Sequence, residues 1–439
     1  MNRQIFIIND DFGSIVFAPL KGIVLRVKDQ KKLEQLQRLI TPDIIDWQKF
    51  LGIFPEIILP SKEVPIKKFE STFLAGTEPF TPVSVSLFTT FDCNLRCIYC
   101  YSEAGQRKDK MSWQLAKNAI DFVIGNALNQ QKKAIVLEFH GGGEPTYNWP
   151  VLRQAITYFQ EKVTSSGLKP LVKITSNGTL NIDKLDWLVR QINGYCLSFD
   201  GYKDIQDLQR PLKKGGSSFK RVYATARFLS EKGIKFIIRV TVTRINVMQL
   251  PQMVKFFCEN FNNSIIDLEP LYYCGRCVTS SAIPPSPDIF VEQFMKANLV
   301  AASYNKEISF SGFNLNKLRR AFCGVTYPNF IVLPNGYITA CTEISDLQNP
   351  LADLFIYGKQ NGQSFNLDQD KIRQLKSLGK KVQQDCQDCF CQYHCAGDCL
   401  VKKFTPQSEK KNSIFMSERC LIIRGIAKET LKTLLGERR

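Results

Sequence analysis

Histidine is scarce in this chain of 439 residues, which contains only His140 and His394. Zinc and non-haem iron sites that depend on histidine ligands are therefore nearly excluded. The sequence also lacks any run of 18 apolar residues, and the apolar stretch at its start is too short for a signal peptide. We therefore expect a cytoplasmic protein with no membrane partner.

Acidic residues are fewer than basic ones: 41 aspartates and glutamates stand against 58 lysines and arginines, a formal net charge of +17. This excess of positive charge fits an anionic partner or an anionic group inside the protein. The alternative is a basic surface that is only solvated. The basic residues are scattered rather than clustered, so nucleic acid is not an expected partner. With 44% hydrophobic and 23% charged residues, the composition is that of a globular protein, and the length allows two or three domains.

Cysteine, in contrast, is abundant, with 15 residues. Disulfides are unfavoured in the cytoplasm, so grouped cysteines there indicate metal ligation. Cys93, Cys97 and Cys100 follow an apolar, alternating run at residues 83–90. One local disulfide would be strained and would leave the third thiol over, so a shared metal centre suits this spacing better than disulfide pairing. The alternative is three buried cysteines in a core segment.

The Cys-x3-Cys-x2-Cys spacing, with the aromatic Tyr99 before its last cysteine, resembles the radical S-adenosylmethionine (SAM) superfamily. The resemblance implies that Cys93, Cys97 and Cys100 bind a [4Fe–4S] cluster and leave one iron without a protein ligand. It further implies that SAM binds this iron and that Tyr99 belongs to the cofactor site.

From residue 83 onward the chain alternates between strand and helix patterns. Strands are predicted at residues 84–90, 134–139, 171–175, 194–199, 235–243 and 265–271, and helices at 112–127, 149–165, 182–192, 218–232 and 248–259. Repeated β-α units predict an α/β fold with a parallel sheet, and six strands in succession fit a partial (β/α)6 TIM-like barrel of the radical SAM type. In such folds the chemistry lies at the carboxyl ends of the strands.

Motifs follow at several of these strand ends. After the second strand comes a glycine-rich turn that resembles the superfamily's SAM-binding motif, formed here by Gly142, Gly143, Glu144 and Pro145. Its glycines let the backbone approach a ligand closely, and the resemblance implies a contact with the amino group of SAM. The resemblance also implies that Ser198 contacts SAM and that Arg239 pairs with the SAM carboxylate. A surface arginine at a strand end is the alternative for Arg239.

A second group of cysteines lies in the C-terminal region. Its pattern is Cys-x12-Gly-x4-Cys, a gap, Cys-x2-Cys-x5-Cys-x3-Cys, a second gap and a last Cys, which resembles the SPASM domain. The resemblance implies two auxiliary [4Fe–4S] clusters, held by Cys323, Cys341 and Cys399, and by Cys386, Cys389, Cys395 and Cys420. A zinc ribbon is the alternative. Cys274 or Cys277 could supply a fourth ligand to the first of these clusters, or that site is open to substrate.

These patterns divide the chain into four parts: an N-terminal region at 1–82, a radical SAM core at 83–275, a bridging segment at 276–319 and a SPASM domain at 320–439. The first part is a small α+β piece, with strands predicted at residues 4–9, 14–20 and 22–27 and helices starting near Asp29 and Asp43. It resembles a leader-peptide recognition module, and a plain N-terminal extension is the alternative. Residues 60–82, rich in proline, are predicted to cross to the core.

The resemblance implies an enzyme that cleaves SAM reductively to a 5′-deoxyadenosyl radical and takes hydrogen from a substrate. Our hypothesis is a maturase for a ribosomally made precursor peptide, with an acidic leader and an electron donor such as flavodoxin or ferredoxin as partners. A separate leader-binding protein is a further candidate partner. The modification could be a crosslink, a thioether, an epimerisation or a backbone excision.

Two other functions stay open. A sulfatase-maturating enzyme that generates formylglycine is disfavoured, because such relatives carry a catalytic aspartate directly after the second cysteine and this chain has Thr342 there. A non-catalytic iron–sulfur binding protein is disfavoured by the retained SAM motifs. The pattern identifies neither the substrate, the catalytic acid or base, nor the oligomeric state.

Overall fold

The computed structural model describes residues 4–40, 46–57, 79–404 and 411–437, with side chains in the last segment from residue 418 onward. Most of the predicted crossing at 60–82 lies outside these residues. So does the predicted start of the second helix at Asp43.

The N-terminal part is an antiparallel sheet of three strands in chain order, followed by two helices. Its elements are β1 (Phe6–Asp10), β2 (Gly13–Ala18), β3 (Ile23–Val27), α1 (Gln30–Leu39) and α2 (Trp47–Ile53). The carboxylates of Asp29 and Asp46 accept hydrogen bonds from the first backbone amides of α1 and α2, which fixes where each helix begins. The three strands and the first helix lie where the sequence predicts them.

Both faces of this small sheet are covered. Val16 on one face packs with Leu36 and Phe50 of the two helices. Phe17 on the other face packs in a cluster with Leu431, and its ring stacks on His394 with 5.8 Å between ring centroids. The N-terminal sheet is therefore docked against the C-terminal region of the chain.

Six parallel strands in chain order form the centre of the molecule, and this confirms the predicted α/β class. The strands are β4 (Ser84–Leu87), β5 (Ala134–Phe139), β6 (Lys169–Ser176), β7 (Gly194–Ser198), β8 (Phe236–Val242) and β9 (Ser264–Pro270). The helices between them are α3 (Trp113–Asn129), α4 (Trp149–Ser165), α5 (Ile182–Val189), α6 (Lys203–Gln209), α7 (Ser218–Glu231) and α8 (Leu250–Asn260). Only the short helix α6 has no counterpart among the predictions for this region.

The strands present two different faces, because successive side chains alternate. Leu197, Val240 and Leu268 are fully buried on the apolar face. Ser198 and Arg239 lie on the opposite face and are partners in the register of β7 and β8. The opposite face is thus polar and less deeply buried, as expected where a polar ligand binds.

The C-terminal region continues the same sheet, which the sequence did not predict. Strand β10 (Ile308–Ser309) runs parallel to β9, and β11 (Ile331–Val332) runs parallel to β4. Three antiparallel strands extend the sheet from β11 to a total of eleven: β12 (Tyr337–Thr339), β13 (Ile356–Asn361) and β14 (Ser364–Leu367).

The remaining helices lie in the C-terminal part of the chain. They are α9 (Pro287–Ser303), α10 (Ala352–Phe355), α11 (Gln369–Asp385), α12 (Gln392–Cys395), α13 (Leu400–Phe404) and α14 (Lys411–Leu434). Among the described residues, no helix has both the length and the apolar character needed to cross a membrane.

Candidate functional site

The first three cysteines lie on the loop that follows β4. Cys93, Cys97 and Cys100 are close enough for each thiolate charge to act on its neighbours, and they share one small apolar cluster with Leu95 and Ala104. Burial raises the pKa of the Cys93 thiol, and it raises that of Cys97 to about 12. Protons that are held this firmly must leave when a metal centre binds, which is the usual coupling between metal binding and thiol ionisation.

Two arginines hold the backbone of this loop. The Arg96 guanidinium donates to the carbonyl oxygens of Cys93 and Leu95, both at 2.7 Å. The Arg276 guanidinium, from the turn after β9, donates to the carbonyl oxygens of Cys97 and Ala104 at 2.8 and 2.9 Å. The two arginines thus occupy carbonyls of the loop, while backbone amides of Leu95 and Ala104 donate to the sulfur atoms of Cys93 and Cys100, each at 3.4 Å.

The glycine turn after β5 presses against the same loop. The Gly143 amide donates to the Thr90 carbonyl at 2.8 Å, and the Glu144 amide donates to that of Asp92 at 3.0 Å. A Cβ atom on Gly143 would lie 1.9 Å from the Asp92 carbonyl oxygen. From the sequence, we explained these glycines by the close approach of a ligand. The structure gives a second reason for glycine at position 143, the close contact between the two turns. The contact with SAM stays a prediction.

Glu144 and Pro145 organise the turn from within. The buried Glu144 carboxylate accepts from the Ser176 hydroxyl at 2.9 Å and from the Asn177 amide at 2.7 Å. Burial raises the pKa of Glu144, while these hydrogen bonds favour its ionised form. The Pro145 carbonyl accepts from the Thr89 hydroxyl at 2.9 Å. The Glu144 carboxylate and the Pro145 carbonyl therefore join the segments that follow β4, β5 and β6.

Tyr99 is tied to a residue that the sequence analysis did not select. Its hydroxyl donates to the fully buried carboxylate of Asp200, which also accepts from Arg210 at 3.1 Å and from the Thr241 amide at 3.0 Å. The Arg210 guanidinium lies 5.2 Å from the centre of the Tyr99 ring. The polar end of Tyr99 is thus engaged by the protein, and its ring alone remains for the predicted cofactor site.

Ser198 and Arg239 lie on the polar face of the sheet, and the structure adds two carboxylates beside Arg239. Arg239 donates to Asp267 and lies 3.8 Å from Glu269, both on β9. A cofactor carboxylate would share the guanidinium with these groups. The pairing of Arg239 with SAM stays a prediction.

The C-terminal thiols interact within two sets, and their assignment to two clusters stays a prediction. Electrostatic interactions connect Cys323, Cys341 and Cys399 in one group, and Cys386, Cys389, Cys395 and Cys420 in the other. The surplus Cys391 lies beside the second group, where its hydrogen bond lowers the pKa of Cys389 to about 6. Within the described ranges, no three His, Cys, Asp or Glu side chains converge as the ligands of a single ion would. Wider groups made only of thiols fit the donor set of an iron–sulfur cluster.

The two candidates for an extra ligand differ in position. Cys277 donates to the Ala282 carbonyl at 3.3 Å and packs beside Tyr99, within the core. Cys274 hydrogen-bonds with Tyr272 and interacts with the charge of Glu343, which also acts on Cys341. Cys274 therefore shares the neighbour Glu343 with Cys341, whereas the contacts of Cys277 are with Ala282 and Tyr99 in the core.

Glu343 and Tyr272 are site residues that the sequence analysis missed. Glu343 hydrogen-bonds with Tyr272, and its charge acts on Tyr101, the residue after Cys100. The Lys402 ammonium lies 3.3 Å from the centre of the Tyr272 ring. A carboxylate thus lies between the first thiol loop and the Cys341 group, one residue beyond Thr342. The only local signal was the sequence Cys-Thr-Glu.

Residues 87–257 match the model of the Radical SAM superfamily. A parallel α/β core with three thiols gathered after its first strand agrees with that match. The chain therefore contains a radical SAM domain over these residues.

Curated relatives match this chain over different lengths. Uncharacterized protein MJ0907 of Methanocaldococcus jannaschii is 32% identical over 39% of this chain, and the match spans 56% of that protein. The cysteine-type anaerobic sulfatase-maturating enzyme of Clostridium perfringens (strain ATCC 13124) is 25% identical over 70% of this chain and 85% of the enzyme. Sporulation killing factor maturation protein SkfB of Bacillus subtilis is 24% identical over 72% of this chain and 70% of its own.

Solved structures share the fold. The structure described as native anSMEcpe with bound AdoMet aligns over 80% of this chain and 99% of its own, with a TM-score of 0.63 and 19% identity. Streptococcus suis SuiB bound to precursor peptide SuiA aligns over 93% of this chain and 98% of its own, with a TM-score of 0.53 and 15% identity.

Proposed function

We propose that this protein is a radical SAM maturase that modifies a peptide or protein substrate. The gathering of Cys93, Cys97 and Cys100 beside the glycine turn carries the proposal, because it places a cluster-binding donor set at the carboxyl end of the sheet. When bound, a [4Fe–4S] cluster supplies the electron that cleaves SAM into methionine and a hydrogen-abstracting 5′-deoxyadenosyl radical.

The chain's own residues prepare this site. Arg96 and Arg276 fix the loop backbone, so the thiols need little rearrangement to bind a cluster. Asp200 fixes the hydroxyl of Tyr99 and so orients the ring at the edge of the site. Ser198 and Arg239 offer a hydroxyl and a guanidinium on the polar face for the amino-acid end of SAM.

The two C-terminal thiol groups are proposed to hold auxiliary [4Fe–4S] clusters, which makes three clusters in the chain. We assign Cys323, Cys341 and Cys399 to one and Cys386, Cys389, Cys395 and Cys420 to the other. Glu343, Tyr272 and Cys274 lie on the path between the first loop and the Cys341 group, so we place the substrate there.

A peptide or protein substrate is supported by what the relatives are named for, maturation of a sulfatase and of a killing factor. We propose that a precursor peptide with an acidic leader binds the N-terminal sheet of this basic chain. An electron donor such as flavodoxin or ferredoxin, and a separate leader-binding protein, are further proposed partners. The domain boundaries at 82, 275 and 319 and a cytoplasmic location belong to the same proposal.

The sulfatase-maturating type is a second candidate. The Clostridium perfringens enzyme aligns over most of both chains. Thr342 counts less against this candidate now, because Glu343 places a carboxylate within the same region. A cysteine-containing sulfatase peptide tests it by mass spectrometry: conversion of that cysteine to formylglycine would select this candidate, and an unmodified peptide would remove it.

The proposed function is tested by anaerobic reconstitution with iron, sulfide, SAM and a reductant. Wild-type protein should release 5′-deoxyadenosine, and Cys97→Ala should release none. Cys258→Ala is the matched control, because Cys258 is buried in α8 outside the three thiol groups. Absence of 5′-deoxyadenosine from wild-type protein, or its release by Cys97→Ala, would contradict the proposal.

A further inference from the structure

A buried ion pair lies at the junction of the two C-terminal thiol groups. The Arg419 guanidinium donates to both carboxylate oxygens of Asp398, at 2.8 and 2.7 Å. The two side chains are only 6% and 8% exposed. Neither residue belongs to the cysteine pattern, and the proposed reaction does not use either of them.

Arg419 directly precedes one proposed cluster ligand and contacts the residues that precede two others. Its partner Asp398 directly precedes Cys399, and Arg419 itself directly precedes Cys420. The guanidinium also lies 5.7 Å from the ring centre of Phe322, which directly precedes Cys323. One cation therefore connects the segments that carry ligands of both auxiliary groups.

The loop that Arg419 holds has an unusual backbone. Ala396, Gly397 and Asp398, between Cys395 and Cys399, all have positive φ angles of 53°, 89° and 60°. A non-glycine residue in this region is strained and persists only where other contacts hold it. The two hydrogen bonds from Arg419 are such contacts, so they help to set the spacing of Cys395 and Cys399.

Electrostatic interactions of the pair reach both groups. Asp398 interacts with Cys323 and Cys399 of the first group and with Cys395 and Cys420 of the second. Arg419 interacts with Cys395 and with Cys399. Because net charge and burial near a cluster set its reduction potential, a buried charge here acts on two clusters at once.

Arg419 also extends toward the polar face of the sheet. It lies 3.7 Å from Glu269, which lies 3.8 Å from Arg239. The Ser311 hydroxyl accepts from Arg419 at 3.2 Å, and the Ser311 amide donates to Glu269 at 2.6 Å. The guanidinium is thus held by Asp398 on one side and by Ser311 and Glu269 on the other.

We propose that Arg419 is a positioning residue that holds the Cys395–Cys399 loop and raises the reduction potentials of both auxiliary clusters. The inference rests on the proposed function, because it requires the two thiol groups to bind clusters. It predicts effects of opposite sign for the two members of the ion pair. Loss of the cation should lower both potentials, and loss of the anion should raise them.

The test is a redox titration of reconstituted full-length protein, followed by electron paramagnetic resonance. The auxiliary signals are those that do not change when SAM is added. Arg419→Met should shift both auxiliary signals to lower potential, and Asp398→Asn should shift them to higher potential. Arg419→Lys, which keeps the charge, should lie between Arg419→Met and wild type. Arg227→Met, from an exposed pair with Glu231, is the control and should shift neither signal.

Unshifted auxiliary potentials in both variants, or shifts of the same sign, would overturn the inference. If Arg419→Met binds less iron than wild type, Asp398→Asn decides alone: an upward shift supports the inference and an unchanged potential overturns it. Failure of the proposed clusters looks different, since wild-type protein would then show only the signal that responds to SAM.

Discussion

Asp200 connects the first thiol loop to the neighbouring strands at the scale of single residues. It is fully buried and binds the Tyr99 hydroxyl, the Arg210 guanidinium and the Thr241 amide. A buried carboxylate needs such partners, because an unpaired charge in the interior is strongly unfavourable. Its position two residues beyond Ser198 gives it this role at the end of β7.

Asp200→Asn should therefore destabilise the protein by about 3–5 kcal/mol, since it leaves Arg210 as an uncompensated buried charge. Chemical denaturation under anaerobic conditions measures the change. Asp186→Asn is the control, because Asp186 on α5 pairs with the exposed Arg190, and this variant should lose no more than about 0.5 kcal/mol. Equal losses in the two variants would contradict the role given to Asp200.

The contacts of Arg276 with the first thiol loop allow a second prediction at the scale of a single residue. It donates to the carbonyls of Cys97 and Ala104, and its amide donates to that of Cys100 at 3.0 Å. Arg276→Met should weaken binding of the first cluster and reduce 5′-deoxyadenosine release, while the auxiliary signals remain. Iron analysis and resonance spectra measure both effects. A full SAM-responsive signal in Arg276→Met would show that the loop does not need this clamp.

The elements show which parts of the fold a sequence can predict. The strands and helices from 84 to 270, apart from the short helix α6, were predicted closely, because each carries a regular period and lies between turn residues. The extension of the sheet was missed, because Ile331–Val332 is too short to show a period and pairs with the distant strand β4. Pairing between strands that are distant in sequence depends on the folded structure, and no pattern within either segment indicates it.

The same distinction applies to the candidate site. Its cysteines were found because their spacing is a pattern within one segment. Glu269, Glu343 and Arg419 were not found, because a single charged residue has no pattern and each acts through partners from other segments. The pairing of Tyr99 with Asp200 across two strand ends was missed for the same reason.

The contact between the β4 and β5 turns gives a prediction at the scale of elements. Gly143→Ala should separate the turns, because the added Cβ would lie 1.9 Å from a backbone oxygen. We expect loss of stability and of the first cluster, measured by denaturation and by the SAM-responsive signal. Gly125→Ala in α3 is the matched control: nothing lies within 4 Å, so it should stabilise the helix by up to about 1 kcal/mol. Equal changes in stability and in the SAM-responsive signal for the two variants would contradict the role given to Gly143.

At the scale of the whole molecule, the thiol groups and the N-terminal sheet are joined through the C-terminal region. His394, which precedes Cys395, lies between the rings of Phe17 and Phe313, with centroid distances of 5.8 and 5.3 Å. The Cys341 segment in turn follows β12 of the central sheet. A peptide held by the N-terminal sheet would therefore bind to a unit whose Phe17 contacts His394, the residue before Cys395.

The central claim is that three thiol groups each bind one cubane cluster, and iron analysis of reconstituted protein tests it most directly. We expect about twelve irons per wild-type chain, four in each cluster, and about eight in Cys97→Ala. A value near four in wild-type protein would contradict the two auxiliary clusters. Twelve irons in Cys97→Ala would contradict the assignment of the first.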